Sequence, residues 1–385
     1  GASIALSNSV LGGTWSTATA TTATVTATTG IVTGVSAGSV LLSYTNPSGC
    51  VATYVVTVNG LPSGVTGGTA ICAGATTTWG STTTGGTWTS SDPATATIAP
   101  ATGLLIGVAA GTTRITYTLS TGCASSYLVT VHPLPAAVAG SSALCIGATV
   151  TLASTTTGGS WYSSNGAVAT ANITTGVITG LAAGTSLISY ILPTGCVATR
   201  LVTVHPLPAT PVVASGLCVG AFTALTSVTT GGTWLATGSA TIDAATGIAT
   251  GTTAGTATFT YTLPTGCSSI LAATVSAPPT AITGPSQLCS GASVTLANAT
   301  PSGSWAANPV SVATVDALTG IVTGSTAGTV RISYILSTGC AAYHVVTVHP
   351  LPAAVTGADA VCVAATSALA SATPGGTWVS DNSTI

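Results

Sequence analysis

Six tryptophans, Trp15, Trp88, Trp161, Trp234, Trp305 and Trp378, stand 73, 73, 73, 71 and 73 residues apart. A fixed period of this length is too long for one turn of a solenoid and long enough for a small domain, so it marks a tandem array. The surrounding text repeats with it. Gly-Gly-Thr or Gly-Gly-Ser precedes each tryptophan except Trp305, which follows "PSGS". Further on come "TGC", a run ending "VTV" and, usually, "HPLP". The register divides the 385 residues into repeats 1–60, 61–133, 134–206, 207–277, 278–350 and 351–385.

Within residues 61–133 the pattern predicts seven short strands, near 64–71 (A), 75–82 (B), 86–90 (C), 95–99 (D), 104–109 (E), 112–119 (F) and 124–131 (G). Alternation is clearest in the last two. Ile115, Tyr117 and Leu119 share one face, as do Tyr127, Val129 and Val131, with Thr and Ser filling much of the other. Gly, Pro, Asp and Ser punctuate the gaps, and no useful helical period appears. The expected fold is all-β: tandem immunoglobulin-like β-sandwich domains of about seven strands each, in a head-to-tail rod. The expected core tryptophans are Trp15, Trp88, Trp161, Trp234, Trp305 and Trp378, on strand C of each repeat. Gly1 aligns with Gly74, so the first repeat lacks strand A; Ile385 aligns with Ile98, so the last is expected to carry strands A to D alone. The sequence thus reads as a window on a longer chain.

The stretch "WTSSDPATATIAPATGLLIGVAAGTTRITY" (88–117) resembles the signature of the bacterial immunoglobulin-like group 2 (BIG2) domains, and the match recurs in every repeat. The "LC-x-G" and "TGC" cysteines resemble those of repeat arrays in large secreted surface proteins of Bacteroidetes-type bacteria. The resemblance implies an extracellular stalk or adhesin module without catalytic residues. The chain departs from common members in its near absence of charge.

Only 2 % of residues are charged, Arg114, Arg200 and Arg331 against five aspartates, for a net charge of −2. That excludes a phosphate-neutralising nucleic-acid surface and a polybasic membrane patch. The mean hydropathy of +0.69 comes from Ala and Val diluted in Thr, Ser and Gly, without the run of about 18 apolar residues that a membrane helix needs. Ten cysteines at regular spacing point to disulfides and an oxidising compartment. Zinc would need clustered ligands, and no two cysteines lie closer than 22 residues.

Which cysteines pair follows from strand direction. With A, C, E and G running one way and B, D and F the other, the A–B cysteine and the F–G cysteine of one repeat sit at opposite poles, about 25–30 Å apart. A disulfide needs Cα atoms within about 7 Å. In a head-to-tail array, however, the A–B pole of one repeat abuts the F–G pole of the next, and the stiff "HPLP" linker leaves little slack. The preferred pairs are therefore interdomain: Cys72–Cys196, Cys145–Cys267 and Cys218–Cys340, with Cys50, Cys123, Cys289 and Cys362 pairing outside this window. The intradomain alternative is Cys72–Cys123, Cys145–Cys196, Cys218–Cys267 and Cys289–Cys340.

Other candidates carry little chemistry. His132, His205 and His349 sit in "HPLP" linkers and read as packing residues, and His344 lies in a G strand without a second ligand beside it. Asp243 and Asp316 follow strand D, where turn capping explains them better than calcium, which takes six to eight oxygens. There is no glutamate, no spaced acidic pair and no arguable Ser-His-Asp set. The glycines are turn glycines. The sequons at Asn172, Asn298 and Asn382 are weak in a bacterial protein. No cofactor, metal or catalytic residue is expected. The expected role is a mechanical segment of an extracellular fibre or cell-surface stalk, whose partners are neighbouring repeats and, in a bundle, like fibres. The alternative is an adhesin whose repeats bind glycan or a host surface; Tyr162 and Trp79 are the few extra aromatics for it.

Overall fold

A computed structural model describes residues 2–214 and 216–382. Strands and turns make up the described residues, with no helix among them, and no helix long and apolar enough to cross a membrane. Contacts divide the chain into two units, 1–204 and 205–385, which we describe separately.

In the first unit, repeat 1 contributes β1 (Ser3–Ala5), β2 (Thr14–Thr17), β3 (Ala23–Val25), β4 (Ile31–Gly34), β5 (Gly38–Thr45) and β6 (Val51–Val58). They form two sheets, ordered β1-β4-β3 and β2-β5-β6. Repeat 2 contributes β7 (Ala70–Cys72), β8 (Thr76–Thr78), β9 (Gly86–Ser90), β10 (Ala96–Ile98), β11 (Leu104–Gly107), β12 (Gly111–Leu119) and β13 (Ala124–His132). Its sheets run β10-β11-β8 and β7-β13-β12-β9. All pairings are antiparallel except β7 with β13, which is parallel, Ala70 facing Thr130, Ile71 facing Val131 and Cys72 facing His132. Repeat 3 and, in the second unit, the repeats at 207–277 and 278–350 have the same two-sheet plan, with an additional short strand, Val212–Val213, in the fourth. These are tandem immunoglobulin-like β-sandwich domains.

Period-2 alternation explains the packing. In β12 the inward residues Thr113, Ile115 and Tyr117 are buried while Thr112 and Arg114 face out. Each sandwich has its own apolar core; that of repeat 2 joins Ile71, Trp79, Trp88, Leu105, Ile115, Tyr117, Val129 and Val131. Strand A is shorter than its predicted span. The residues before Ala70 make only an isolated antiparallel bridge, Thr66 to Gly80, after which the chain crosses to the other sheet to pair with β13. Tyr127, expected on the core face, is 37 % exposed because it lies toward the open end of β13, its ring edge-on to Trp79.

Residues 351–382 differ from expectation. Strands A to D do not form there, apart from an isolated bridge between Thr356 and Ala370. The cause is pairing: in repeat 2, A pairs with G, B and D with E, and C with F. This stretch carries no counterpart of E, F or G. Trp378 is accordingly 60 % exposed and is not a core residue, and Trp15 is half-buried, whereas Trp88, Trp161, Trp234 and Trp305 are buried.

Candidate functional site: the inter-repeat disulfide junction

The junction is built from the A–B corner of one repeat and the F–G turn of the next. At the corner, the ladder to β13 holds Cys72. The next N–H, of Ala73, donates to His132 O at 2.9 Å, and Gly74 N–H donates to Gly107 O at 2.8 Å. Gly74 has φ near 79°, a left-handed turn residue. Gly107 is required for a different reason. A Cβ there would lie 2.7 Å from the Cys72 carbonyl oxygen, and Gly180 and Gly324 stand in the same relation to Cys145 and Cys289, at 2.8 and 3.0 Å.

The opposing turn is "PTGC" (193–196). Gly195 N–H donates to Leu192 O and Leu192 N–H to Cys196 O, both at 2.9 Å, so the hairpin presents Cys196 from a fixed position. Cys72 and Cys196 are bonded, with Cα atoms 5.6 Å apart across a sequence separation of 124. In the second unit Cys218 and Cys340 are bonded, 5.7 Å apart across 122 residues. Both distances are ordinary for a disulfide. Cys145 and Cys267 are disulfide-bonded as well. Cys50, Cys123, Cys289 and Cys362 are free thiols.

The intradomain pairs do not occur. Cys72–Cys123 and Cys145–Cys196 are excluded by the Cys72–Cys196 bond, and Cys218–Cys267 and Cys289–Cys340 by the Cys218–Cys340 bond. The reason is the parallel A–G pairing: A ends at the pole where G ends, the far pole from the F–G turn.

The four histidines lie on or at the ends of G strands. His132 and His349 end their G strands opposite Cys72 and Cys289, and His349 Nε2 lies 3.3 Å from Gln287 Oε1. His205 ends the strand Val197–His205, and His344 lies within Ala341–His349. No group of three or more His, Cys, Asp or Glu side chains that could hold a metal occurs among the described residues. The aspartates cap turns. Asp243 Oδ1 accepts the N–H and hydroxyl of Thr246, both at 2.7 Å, and the Ala245 N–H at 3.1 Å. Thr246, then Ala245, hold its carboxyl below the usual carboxylate range, and Thr319 and Leu318 do the same for Asp316. Asp92 is lowered chiefly by the Thr95 hydroxyl, 2.7 Å away. Of the sequons, Asn172 caps the equivalent turn, accepting from Thr174 and Thr175, and Asn298 Nδ2 donates to Thr280 O.

One constellation escaped the sequence reading. In the first five repeats the strand F tyrosine packs on the strand C tryptophan, with ring centroids 4.5–4.9 Å apart. In repeat 3 the Tyr190 hydroxyl accepts the Gly159 N–H at 2.9 Å and donates to Thr156 O at 2.8 Å. Repeats 2 and 5 copy both bonds at Tyr117 and Tyr334. A Cβ at Gly159 would sit 2.6 Å from Tyr190 Cζ, and Gly13, Gly86, Gly232 and Gly303 face a tyrosine ring in the same way, which explains the glycine two places before Trp15, Trp88, Trp161, Trp234 and Trp305. The signal was present in "GG(T/S)W" and in the recurring step from that glycine to a tyrosine, 31 residues except in the fourth repeat, where it is 29.

Residues 51–130 match the family model of the bacterial Ig-like domain (group 2). No curated protein matches the chain. Among solved structures, alignments run to the human desmocollin-1 ectodomain (11 % identity, 88 % of this chain and 92 % of that one, TM-score 0.17). They also run to immunoglobulin domains 1–5 of Sidekick-1 (10 %, 82 % and 86 %, 0.19) and to domains 4–9 of the surface layer protein SbsC (15 %, 96 % and 80 %, 0.17).

Proposed function

We propose that this chain is a load-bearing spacer of an extracellular fibre or cell-surface stalk, a series of non-enzymatic immunoglobulin-like domains divided at 60/61, 133/134, 206/207, 277/278 and 350/351. Disulfides staple the second repeat to the third and the fourth to the fifth, and Cys145–Cys267 completes the series by joining the third to the fourth. The observation that carries the reading is that Cys72–Cys196 and Cys218–Cys340 each join neighbouring repeats and not the two ends of one.

The mechanical consequence follows from connectivity. Tension applied at the chain ends passes through the covalent bridge, so the chain between the bonded cysteines, over sequence separations of 124 and 122, is outside the load path. Each loop shields roughly 400 Å of extended chain, at ~3.4 Å per residue. A sandwich inside a loop can open without lengthening the fibre. Disulfides of this kind persist in oxidising surroundings, which supports an extracellular or cell-surface location. Sparse charge adds to this reading: three arginines offer few tryptic sites, and nearly neutral fibres do not repel one another in a bundle.

Single-molecule pulling from both ends tests it. The expected result is a short limiting contour length under oxidising conditions that grows by roughly 800 Å in total once reductant is added, since the loops closed by Cys72–Cys196 and Cys218–Cys340 do not overlap and a Cys145–Cys267 loop falls within the span they already shorten. Equal contour lengths with and without reductant would overturn the reading.

A further inference from the structure

On the outer face of the A-G-F-C sheet, repeat 5 departs from the other repeats. Its C strand is Gly303–Asn308, its F strand Gly328–Leu336 and its G strand Ala341–His349. Two cross-strand rows lie at the centre of this face: Ala306, Ser333 and Tyr343, then Asn308, Arg331 and Val345. All but Ser333 are exposed. The Arg331 guanidinium lies over the Tyr343 ring, its Cζ 4.7 Å from the ring centroid. Ser333, directly opposite Tyr343, is buried, whereas its counterparts Thr116 and Ser189 are half-buried.

No other repeat assembles this pair. At the place of Tyr343 stand Thr53, Ser126, Thr199 and Ile270, and at the place of Arg331 stand Leu41, Arg114, Leu187 and Thr258. Arg114 therefore faces out opposite Leu128, with a serine where repeat 5 has its ring. Arg200, the remaining arginine, is half-buried, and its Nη1–H donates to Val138 O at 3.0 Å. The openness of this face does not depend on a missing neighbour. Repeat 2 has a repeat on either side, and its equivalent residues Ser91, Arg114, Ser126 and Leu128 stay exposed.

The chemistry of the pair selects a ligand. A guanidinium held against a ring gives up part of its rotamer freedom before any ligand arrives, and its planar fork still presents paired N–H groups to a carboxylate. Among the described residues no carboxylate takes them. Asp316, the aspartate of this repeat, accepts instead from Leu318 and Thr319 in its own turn. Tyr343 remains 58 % exposed with the guanidinium in place, so ring surface is open to the C–H groups of a sugar. Asn308 beside it adds an amide donor and acceptor for sugar hydroxyls. The pair stands on the outer face of a sheet, whereas small molecules take concave clefts, so it suits an extended polymer lying across the strands.

We propose that this face of repeat 5 binds an acidic polysaccharide, a uronate carboxylate pairing with Arg331 while a sugar ring lies on Tyr343. The site gives the spacer an adhesive patch of its own. It uses none of the bridges, so either reading can fail without the other.

The test is isothermal titration of the full chain with oligogalacturonate and with the same oligomer fully methyl-esterified. The expected result is saturable binding of the acid at a single site, weakened by added salt, and no binding of the ester. Arg331→Leu should weaken binding at least about tenfold, because a bidentate charge-assisted contact is lost. Tyr343→Thr should weaken it roughly three- to tenfold through lost stacking. Both replacements copy residues that fold at these places in repeats 1 and 3, Leu41 and Leu187 for the first and Thr53 and Thr199 for the second. Arg114→Leu removes the same charge from repeat 2 and should leave the affinity within about twofold, a charge on another repeat being screened. An unmodified chain that does not bind, equal binding of the ester, an unchanged affinity in either repeat 5 variant, or an equal loss from Arg114→Leu would overturn the proposal.

Discussion

The tyrosine hydroxyl that bridges strand F to the glycine before each core tryptophan makes a quantitative prediction. Tyr190→Phe in repeat 3 removes an acceptor for the Gly159 N–H and a donor to Thr156 O, at 2.9 and 2.8 Å. The ring stays, so packing on Trp161, 4.6 Å between centroids, is preserved and the loss is confined to hydrogen bonding. Leaving one buried backbone group unpaired costs about 1–3 kcal/mol; these groups are partly buried, so about 1–3 kcal/mol for the pair is expected. Hydrogen exchange read by mass spectrometry resolves repeats individually, which bulk melting of a multidomain chain does not. Peptides covering Trp161 and Tyr190 should exchange roughly 5- to 150-fold faster in the opening-limited regime, each 1.4 kcal/mol being tenfold, while those of repeat 5 stay unchanged. Gly159→Ala should produce a similar loss by a different route, since its Cβ would lie 2.6 Å from Tyr190 Cζ. If Tyr190→Phe leaves repeat 3 protection unchanged within twofold, the hydroxyl bridge contributes nothing and the reasoning is wrong.

Other outcomes follow from the same geometry. Trp88→Ala should destabilise repeat 2 by about 3–5 kcal/mol, whereas Trp378→Ala, at an exposed position, should change nothing measurable in a melt. Asp243 and Asp316 have folded pKa values lowered by their turn bonds. Their contribution is therefore full above the ordinary carboxylate value of 3.8 and is lost as pH falls through the lowered folded values; Asp243→Asn should flatten this acid limb in melts taken from pH 5 downward. Reducing the bridges should lower the denaturation midpoint of the spanned repeats. Loops of 124 and 122 residues correspond to at most about 5 kcal/mol each in the loop-entropy account, and an unchanged midpoint would contradict it.

Much of the fold was legible because the signals are local and periodic. The 73-residue step fixed the number of repeats, and alternation in 112–119 and 124–131 placed Ile115, Val129 and Val131 inward, where they are buried. Strand A was harder to read. Three residues long, it changes sheets after the Thr66–Gly80 bridge, and pattern alone carries no information about which edge a short strand will join. The disulfide partners could be argued from alternating strand direction, but only the parallel A–G register separates interdomain from intradomain pairing. Trp378 shows the limit of transferring roles between repeats. Its sequence context matches the others, yet its burial depends on strands E to G, which residues 351–385 do not include.

The most direct measurement is a tryptic map of the denatured, thiol-blocked chain without reductant. Cleavage after Arg114, Arg200 and Arg331 yields 1–114, 115–200, 201–331 and 332–385. Stapling of the second to fifth repeats, each to the next, with Cys145 joined to Cys267, predicts a single species holding all four peptides. Two species, one pairing the first two peptides and one the last two, would contradict a continuous series of staples.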